Sequence, residues 1–468
     1  GNVLPIAHLD IGVQDLVPGQ QLSLLFQMKE GTGNANFDPP EVQWSYLAKD
    51  EEGISDVWVP FRNGAIFEDT TKSDPASKSG LLQSGIIKFT TSPQMTGKST
   101  TKQPGAGLYW LRATLIERNP GERIISLPNI EAIHAQAESA TFKNNDNTLD
   151  QLIRGLPAET INKLEVQEPA IKKVFQPLPS VNGKAAEDRP AYYRRVSERL
   201  RHKNRAVNIW DYERLILEAF PEVIHAKTIS HTSKMPDSNV GRLRNIAPGR
   251  VMTVVFPDLR NRPDINPFTP GFCIGKLEAI EDHLRQRSNL FLYCNENIQV
   301  VNPFFELIQV KCCVRFRPGF PPLYYSTKLN EDLHGFLAPW TLDQEVDLQF
   351  RGELHTSTIL NFMEEREYVD VITNFYVCHY TLDVETGDPV ATNGYDILGN
   401  PKPITSELIP AQSARSLFTT FPAGHHIQLW GEEGCNDCLA DDFTNFALCT
   451  EEQGSSDLPD CNPPQQQP

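Results

Sequence analysis

The stretch DRPAYYRRVSERLRHKNRAVNIWDYERLILEAFPEV, Asp188–Val223, reads as two helices in tandem. The first opens near Asp188 with Pro190 in its first turn, where a fixed φ and a missing N–H do no harm. Tyr193, Val196 and Leu200 recur at i, i+3 and i+7, one face of a 3.6-residue period. The second helix has Asn208 at the N-cap, with Asp211 in the first turn, where an acid complements the helix dipole. Ile209, Tyr212, Ile216 and Ala219 follow its apolar face, and Pro221 stops it. Between Arg189 and Arg205 stand seven Arg or Lys residues opposed only by Glu198.

Upstream of this pair the pattern is β. QQLSLLFQM (Gln20–Met28), PEVQWSYLA (Pro40–Ala48), SGIIKFTT (Ser84–Thr91) and GLYWLRATLI (Gly107–Ile116) are short β-branched or aromatic runs bounded by Gly, Pro, Asn or Asp. In the second run Val42, Trp44 and Tyr46 alternate with Gln43 and Ser45, which predicts one wet face. Residues 1–142 are thus expected to form a β-sandwich-like domain. Residues 143–188 form an irregular connection, in which small strands could occur. The basic helix pair leads into a strand over 189–232, and an α+β domain follows over 233–382. There the strand Arg250–Phe256, the helix Gly275–Ser288, two strands broken at Asn302–Pro303, the helices Ser326–Trp340 and Ser357–Glu365 and the strand Tyr368–Leu382 predict helices layered on a mixed sheet. A loop-rich extension, 383–430, and an acidic cysteine-bearing tail, 431–468, complete a multi-domain, β-rich and α+β chain.

Composition narrows the function. The 468 residues are 39% hydrophobic and 22% charged, as in a globular chain. The net charge of −17 argues against a general grip on nucleic acid or an anionic bilayer. No run approaches the ~20 apolar residues a membrane helix needs, so no membrane segment is expected. The start, GNVLPIAHLD, lacks the basic and apolar regions of a signal peptide. Of nine cysteines, Cys273, Cys294, Cys312, Cys313 and Cys378 lie in apolar, strand-like runs, where free Cys behaves as a small hydrophobe, a pattern suited to a reducing cytosol.

Few motifs carry chemistry. SPQMTGKST (Ser92–Thr100) holds Gly97-Lys98-Ser99, half of a phosphate loop, but Ser92 stands where the leading glycine belongs and TKQPGAG follows where a helix must start. It reads as a hairpin loop. Cys435, Cys438, Cys449 and Cys461 are spaced C-x2-C-x10-C-x11-C. Zinc, a redox-dependent disulfide and inert tail cysteines all remain open readings there, and no other cofactor is indicated. No metalloprotease, serine-hydrolase or dinucleotide motif occurs, and carboxylate pairs such as Glu364–Glu365 and Asp441–Asp442 sit in no readable cleft, so no enzyme is expected. The basic block could be a solvated face. With Tyr192, Tyr193, Trp210 and Tyr212 around it, however, it has the Arg-plus-aromatic composition of a protein interface, and the surrounding acidity opposes nucleic acid. The rival reading is a carbohydrate-binding or adhesin-type module built on Trp44, Trp58 and Trp110.

RVSERLRHKNRAVNIWDYERLILEAFPEV (Arg195–Val223) also closely resembles the J-like baseplate wedge proteins of contractile injection systems and contractile phage tails. The likeness continues through Val300–Phe320, Leu329–Trp340 and Ser357–Val377 in the family's order. Upstream, LVPGQQLSLLFQM, VQWSYL, GLLQSGIIKF and LYWLRATL are similar to the large wedge subunit of extracellular injection particles. The tail after Trp430 departs from the family. The resemblance implies a structural wedge subunit that joins hub and spike to the sheath in a six-fold ring. Its implied partners are a second J-like subunit, further copies of itself, and hub, sheath-initiating and lysozyme-like wedge components. It implies assembly in the bacterial cytoplasm into a released or anchored particle, and a chain that is the C-terminal part of a larger protein. The partner-binding set is Arg194, Arg195, Arg199, Arg201, His202, Lys203, Arg205, Trp210, Tyr212 and Glu213.

Overall fold

The computed structural model describes residues 5–431 except 36, 75–76, 103–106, 118–121, 146, 182, 184–185, 234–246, 261, 263–264, 295–296, 344–345, 347, 351, 384–387, 396–398 and 405. The four tail cysteines lie outside the described residues. The chain is multi-domain and β-rich with α+β parts.

Eight strands come first: β1 (Pro5–Val13), β2 (Gln21–Met28), β3 (Glu41–Lys49), β4 (Asp56–Pro60), β5 (Ile66–Asp69), β6 (Gly85–Thr90), β7 (Tyr109–Ile116) and β8 (Ile130–Ala135). They form two antiparallel sheets, ordered β1-β7-β3-β4 and β5-β6-β2-β8. Strict alternation builds the space between them: Leu22, Leu24, Phe26 and Met28 of β2 point inward against Trp44 and Tyr46 of β3 and Phe89 of β6. The outer face of β3 is drier than the alternation predicts, with Ser45 and Leu47 buried. Their cross-strand partners are Arg112 and Trp58, and the Arg112 guanidinium lies 3.9 Å over the Trp58 ring. Together these side chains roof the face.

The Ser92–Thr100 segment is not a hairpin. β6 and β7 lie in different sheets, so it crosses between them. Its free N–H groups are occupied by the chain itself. One carboxylate oxygen of Asp56 accepts from Ser99 Oγ (2.9 Å), Thr100 N (2.9 Å), Thr101 N (2.9 Å) and Thr101 Oγ1 (2.7 Å). Lys49 Nζ holds the other oxygen at 2.8 Å. Burial opposes the charge, yet the hydrogen bonds from Lys49, Thr101 and Ser99 outweigh it and hold Asp56 far below the usual carboxylate range. Asp10 behaves likewise. Burial raises its pKa, but the bonds from Arg112 and Lys102 win and bring it to about 2.

A carboxylate held below its ordinary value stabilises the fold above that value and loses the contribution as pH falls through the folded pKa. Wild type and Asp10→Asn should therefore differ by on the order of 1–2 kcal/mol at pH 6, after discounting for solvent screening. The gap should close between about pH 4 and pH 2. Thermal melts across that range check it, and a gap constant with pH would refute it.

In 143–188 the described residues hold one helical turn, α1 (Gln151–Arg154), and no strand. Then come α2 (Arg189–His202), α3 (Ile209–Ala219), β9 (Val223–Ser230), β10 (Val251–Pro257), α4 (Ile274–Arg285), α5 (Leu290–Cys294) and β11 (Ile298–Val301). β10 pairs antiparallel with β9 and parallel with β11, and α4 makes the crossover. Cys273 offers no side-chain cap to α4. Glu30 of the sandwich supplies one, accepting the Cys273 N–H at 2.9 Å and standing 3.6 Å from Arg262. This ties the sandwich to the βαβ unit.

The last layer comprises β12 (Phe304–Phe316), α6 (Pro322–Leu337), β13 (Glu353–His355), α7 (Thr356–Glu364), β14 (Val369–Leu382), β15 (Pro389–Ala391), β16 (Leu408–Pro410), β17 (Ser416–Thr420) and β18 (His426–Leu429). β12 pairs with β14 along most of its length and, on its other side, in parallel with β17 and then β18. The helices α6 and α7 pack Leu329, Leu333, Ile359 and Met363 onto the sheet. α6 starts four residues before the expected Ser326, because Pro322 takes the N1 position. The segment expected to be loop-rich supplies β15 to β18. Glu306, fully buried in β12, fixes its return by accepting the Gln412 N–H at 2.7 Å and facing His379 Nε2 at 2.7 Å. Cys273, Cys312 and Cys378 are free and buried. Cys313 departs from the expected free thiol and is disulfide-bonded. No helix of the described residues is long and apolar enough to cross a membrane.

Candidate subunit interface

The helix pair is built from its caps. Asp188 accepts the Ala191 N–H at 2.8 Å and starts α2. Lys203 (φ +49°) and Asn204 (φ +57°), both left-handed, end it and turn the chain. A capping box starts α3: Asn208 Oδ1 accepts from Asp211 N (3.1 Å), and Asp211 Oδ2 accepts from Asn208 N (3.0 Å) and Val207 N (3.1 Å). The turn is pinned to the end of α4, since Ala206 N donates to Arg287 O at 2.9 Å and Arg287 Nε to Asn204 Oδ1 at 3.1 Å.

α3 buries Tyr212, Leu215 and Ile216 against β9 and α4. The expected face is thus rotated: Leu215 joins it, whereas Ile209 and Ala219 lie exposed at its ends. α2 does the opposite of what its apolar stripe predicts. Tyr193 is 66% exposed and Leu200 70% exposed, and His202 is the buried residue of this helix. Nothing in the described chain covers this stripe.

The predicted partner-binding residues fall into two sets. His202, Tyr212 and Glu213 face inward. His202 Nδ1 accepts the Asn204 N–H at 3.0 Å, the Tyr212 hydroxyl lies 3.5 Å from Ser288 Oγ, and Glu213 Oε1 satisfies the Thr228 N–H on the edge strand β9 at 2.9 Å. The others face outward in varying degrees of engagement. Arg195 is clamped by Glu187 at 2.9 Å. Arg201 stacks its guanidinium 4.2 Å over the Trp210 ring. Arg199, more than half exposed, stands 3.7 Å from Glu218. Arg194, Lys203 and Arg205 are exposed and, among the described residues, lie in no ion pair. Exposed pairs are worth roughly 0–1 kcal/mol, so these cations are available to another molecule. Sequence reasoning missed that α5 adds Leu290 (75% exposed) and Phe291 (59% exposed) beside the same turn. The apolar LFLY run was the available signal.

The other concave sites offer less. A hollow of about 280 Å³ beside α6 is lined by Asn330, Glu331, His334 and His425. His425 Nδ1 accepts the Val310 N–H at 3.1 Å, so its Nε2 carries the proton and donates to Thr420 Oγ1 at 3.2 Å. The Thr420 hydroxyl then donates to His334 Nδ1 at 2.6 Å. Burial pushes His425 down to about 3. A hydroxyl beside an imidazole suggests a nucleophile and its base, but Thr420 is 0% exposed, out of reach of any substrate. The tryptophans behind the carbohydrate reading divide between the core and the outer face of the β1-β7-β3-β4 sheet. Trp44 is core, edge-on to Phe89, Trp58 lies under Arg112, and Trp110 packs on Gly12.

The family model described as "Baseplate protein PVC11-like" matches residues 4–395. A chain from the cryo-EM structure of the anti-feeding prophage (AFP) baseplate, six-fold symmetrised, is similar at 15% identity and a TM-score of 0.34, with 90% of this chain and 78% of that chain covered. Nothing among the curated proteins matches.

Proposed function

The chain belongs to the PVC11-like family of baseplate proteins, and from that premise we propose that it is a structural wedge subunit in the baseplate of a contractile injection system. It docks onto neighbouring subunits through the outer face of α2. The observation that carries this is the uncovered stripe of α2, where exposed Tyr193 and Leu200 sit among Arg194, Arg199, Lys203 and Arg205. Large exposed apolar side chains flanked by exposed cations mark a surface for a partner. Of the remaining outward residues, Arg201 stacks on Trp210 and Arg195 is held by Glu187, which keeps the face in shape.

In this reading the wedges close into a six-fold ring around the hub and spike and link them to the sheath. The neighbours are a second J-like subunit and further copies of this chain, with hub, sheath-initiating and lysozyme-like components beyond them. In that scaffold the sandwich (1–142) is tied to the βαβ unit through Glu30, and the helix pair (189–232) shares a sheet and a core with the α+β unit (233–382); no residue acts catalytically, and assembly takes place in the bacterial cytoplasm. A ring that must open on triggering needs contacts that hold in one state and release in another. The test is recovery of the tagged full-length chain from its native host, viewed by negative-stain electron microscopy. Sheathed rods bearing the tag at one end are the expected result. A small monodisperse complex without rods would overturn the proposal.

A further inference from the structure

Building on that reading of α2 as a docking face, we infer that its occupant is the acidic C-terminal segment, residues 432–468, of a neighbouring copy of this chain. The first argument is charge. Those 37 residues hold nine Asp or Glu and no Lys, Arg or His, so over half of the chain's net −17 resides there. The strip Arg189–Arg205 carries seven Arg or Lys against Glu198 alone. The most acidic and the most basic parts of the sequence are thus complementary, and the acidic part lacks cations of its own.

The second argument is apolar pattern. Leu439, Phe443 and Phe446 are spaced four and three apart, the repeat of one helix face, with Asp441 and Asp442 between them. An acidic amphipathic segment of this kind suits a surface that offers both cations and uncovered apolar side chains. Leu200 (70% exposed), Val207 (79%) and Leu290 (75%) provide the latter. Val207 and Leu290 flank, in sequence, the Ala206 N to Arg287 O hydrogen bond that joins the turn after α2 to the end of α4.

The third argument assigns the segment to a neighbour. Trp430 N donates to Val314 O, ten residues along β12 from Phe304. At ~3.3 Å per residue, the chain's own tail sets out about 33 Å from the end of β12 that joins the helix-pair unit. The nine residues from Gly431 to Leu439 reach ~30 Å when fully extended. A tail that crosses to the next copy, repeated around a ring, makes the contact heterologous and closed.

Two differently tagged full-length copies are co-expressed in particle-producing cells, one with the photo-crosslinker p-benzoyl-phenylalanine in place of Leu200. The expected product carries both tags and maps to residues 432–460 of the second copy. Asp441→Lys with Asp442→Lys in that copy should cut it at least about tenfold, since like charges then face each other. Adducts to the tail of the same copy would overturn the inference. So would adducts to a different subunit with the neighbour's tail unmodified, although α2 would then remain a docking face. No protein adduct from Leu200 in assembled particles would refute both readings together.

Discussion

Trp340→Ala is expected to cost about 3–5 kcal/mol and to split the unfolding of this chain into separable transitions. Trp340 follows α6 in the short 3-10 turn Pro339–Thr341 and is 2% exposed. Its ring meets Phe256 of β10 edge-on at 5.7 Å and leans on Phe305 of β12 at 6.4 Å. Its Nε1–H donates to Pro267 O at 2.9 Å. One side chain thus bridges the three-stranded sheet and the larger sheet, with Leu348 and Leu417 packed around it. Removing it loses the transfer free energy of an indole, opens a cavity at the seam and orphans a carbonyl. Against a typical stability of about 5–15 kcal/mol, such a loss is large. Trp340→Phe should recover most of the packing and lose mainly the hydrogen bond, about 1 kcal/mol. Calorimetry of the three proteins decides. A single transition for the Ala variant, shifted by less than about 1 kcal/mol, would mean that the seam is held elsewhere.

What the sequence disclosed and what it hid divide along the range of the interactions. Asn208 caps its helix as read, and the first helix opens where expected with Asp188 as its cap, because a cap is a bond between residues three apart. Four strands of the sandwich, β2, β3, β6 and β7, follow from apolar runs bounded by turn residues, which is equally local, whereas β1, β4, β5 and β8 are not among the expected strands. By contrast, β17 and β18 are five and four residues long and exist because β12, over a hundred residues earlier, offers them a parallel edge. Nothing within Ser416–Thr420 announces that edge. The Asp56 cradle, the Glu306–His379 pair and the roofing of β3 by Trp58 and Arg112 likewise join residues far apart in sequence. For the candidate interface, the charge run was plain, but its engagement was not. Periodicity states that Tyr193 and Leu200 share a face. It cannot state whether the chain covers that face, and among the described residues the face stays open. Nor does composition separate Arg195, which Glu187 holds, from Arg194, which lies in no ion pair among the described residues.

That distinction sets the last expectation. Arg199→Glu combined with Arg205→Glu should abolish incorporation of the chain into particles while leaving its own melting temperature nearly unchanged. Both side chains are exposed and Arg199 makes only a 3.7 Å approach to Glu218, so the fold stands to lose no more than about 1 kcal/mol. The interface loses far more. Reversing a cation that faces a carboxylate replaces attraction with repulsion between desolvating charges, at a cost of several kcal/mol. Each 1.4 kcal/mol is a factor of ten in affinity, so two reversals weaken one contact by about a thousandfold or more. In the proposed ring that loss repeats at every junction. Arg195→Ala is the useful contrast: it removes the pair with Glu187 at the fold's own expense and should lower the melting point slightly, with particles still forming. Particle counts by electron microscopy, beside thermal melts of each purified variant, separate the two effects. Wild-type particle yield from the double reversal would remove α2 from the assembly surface.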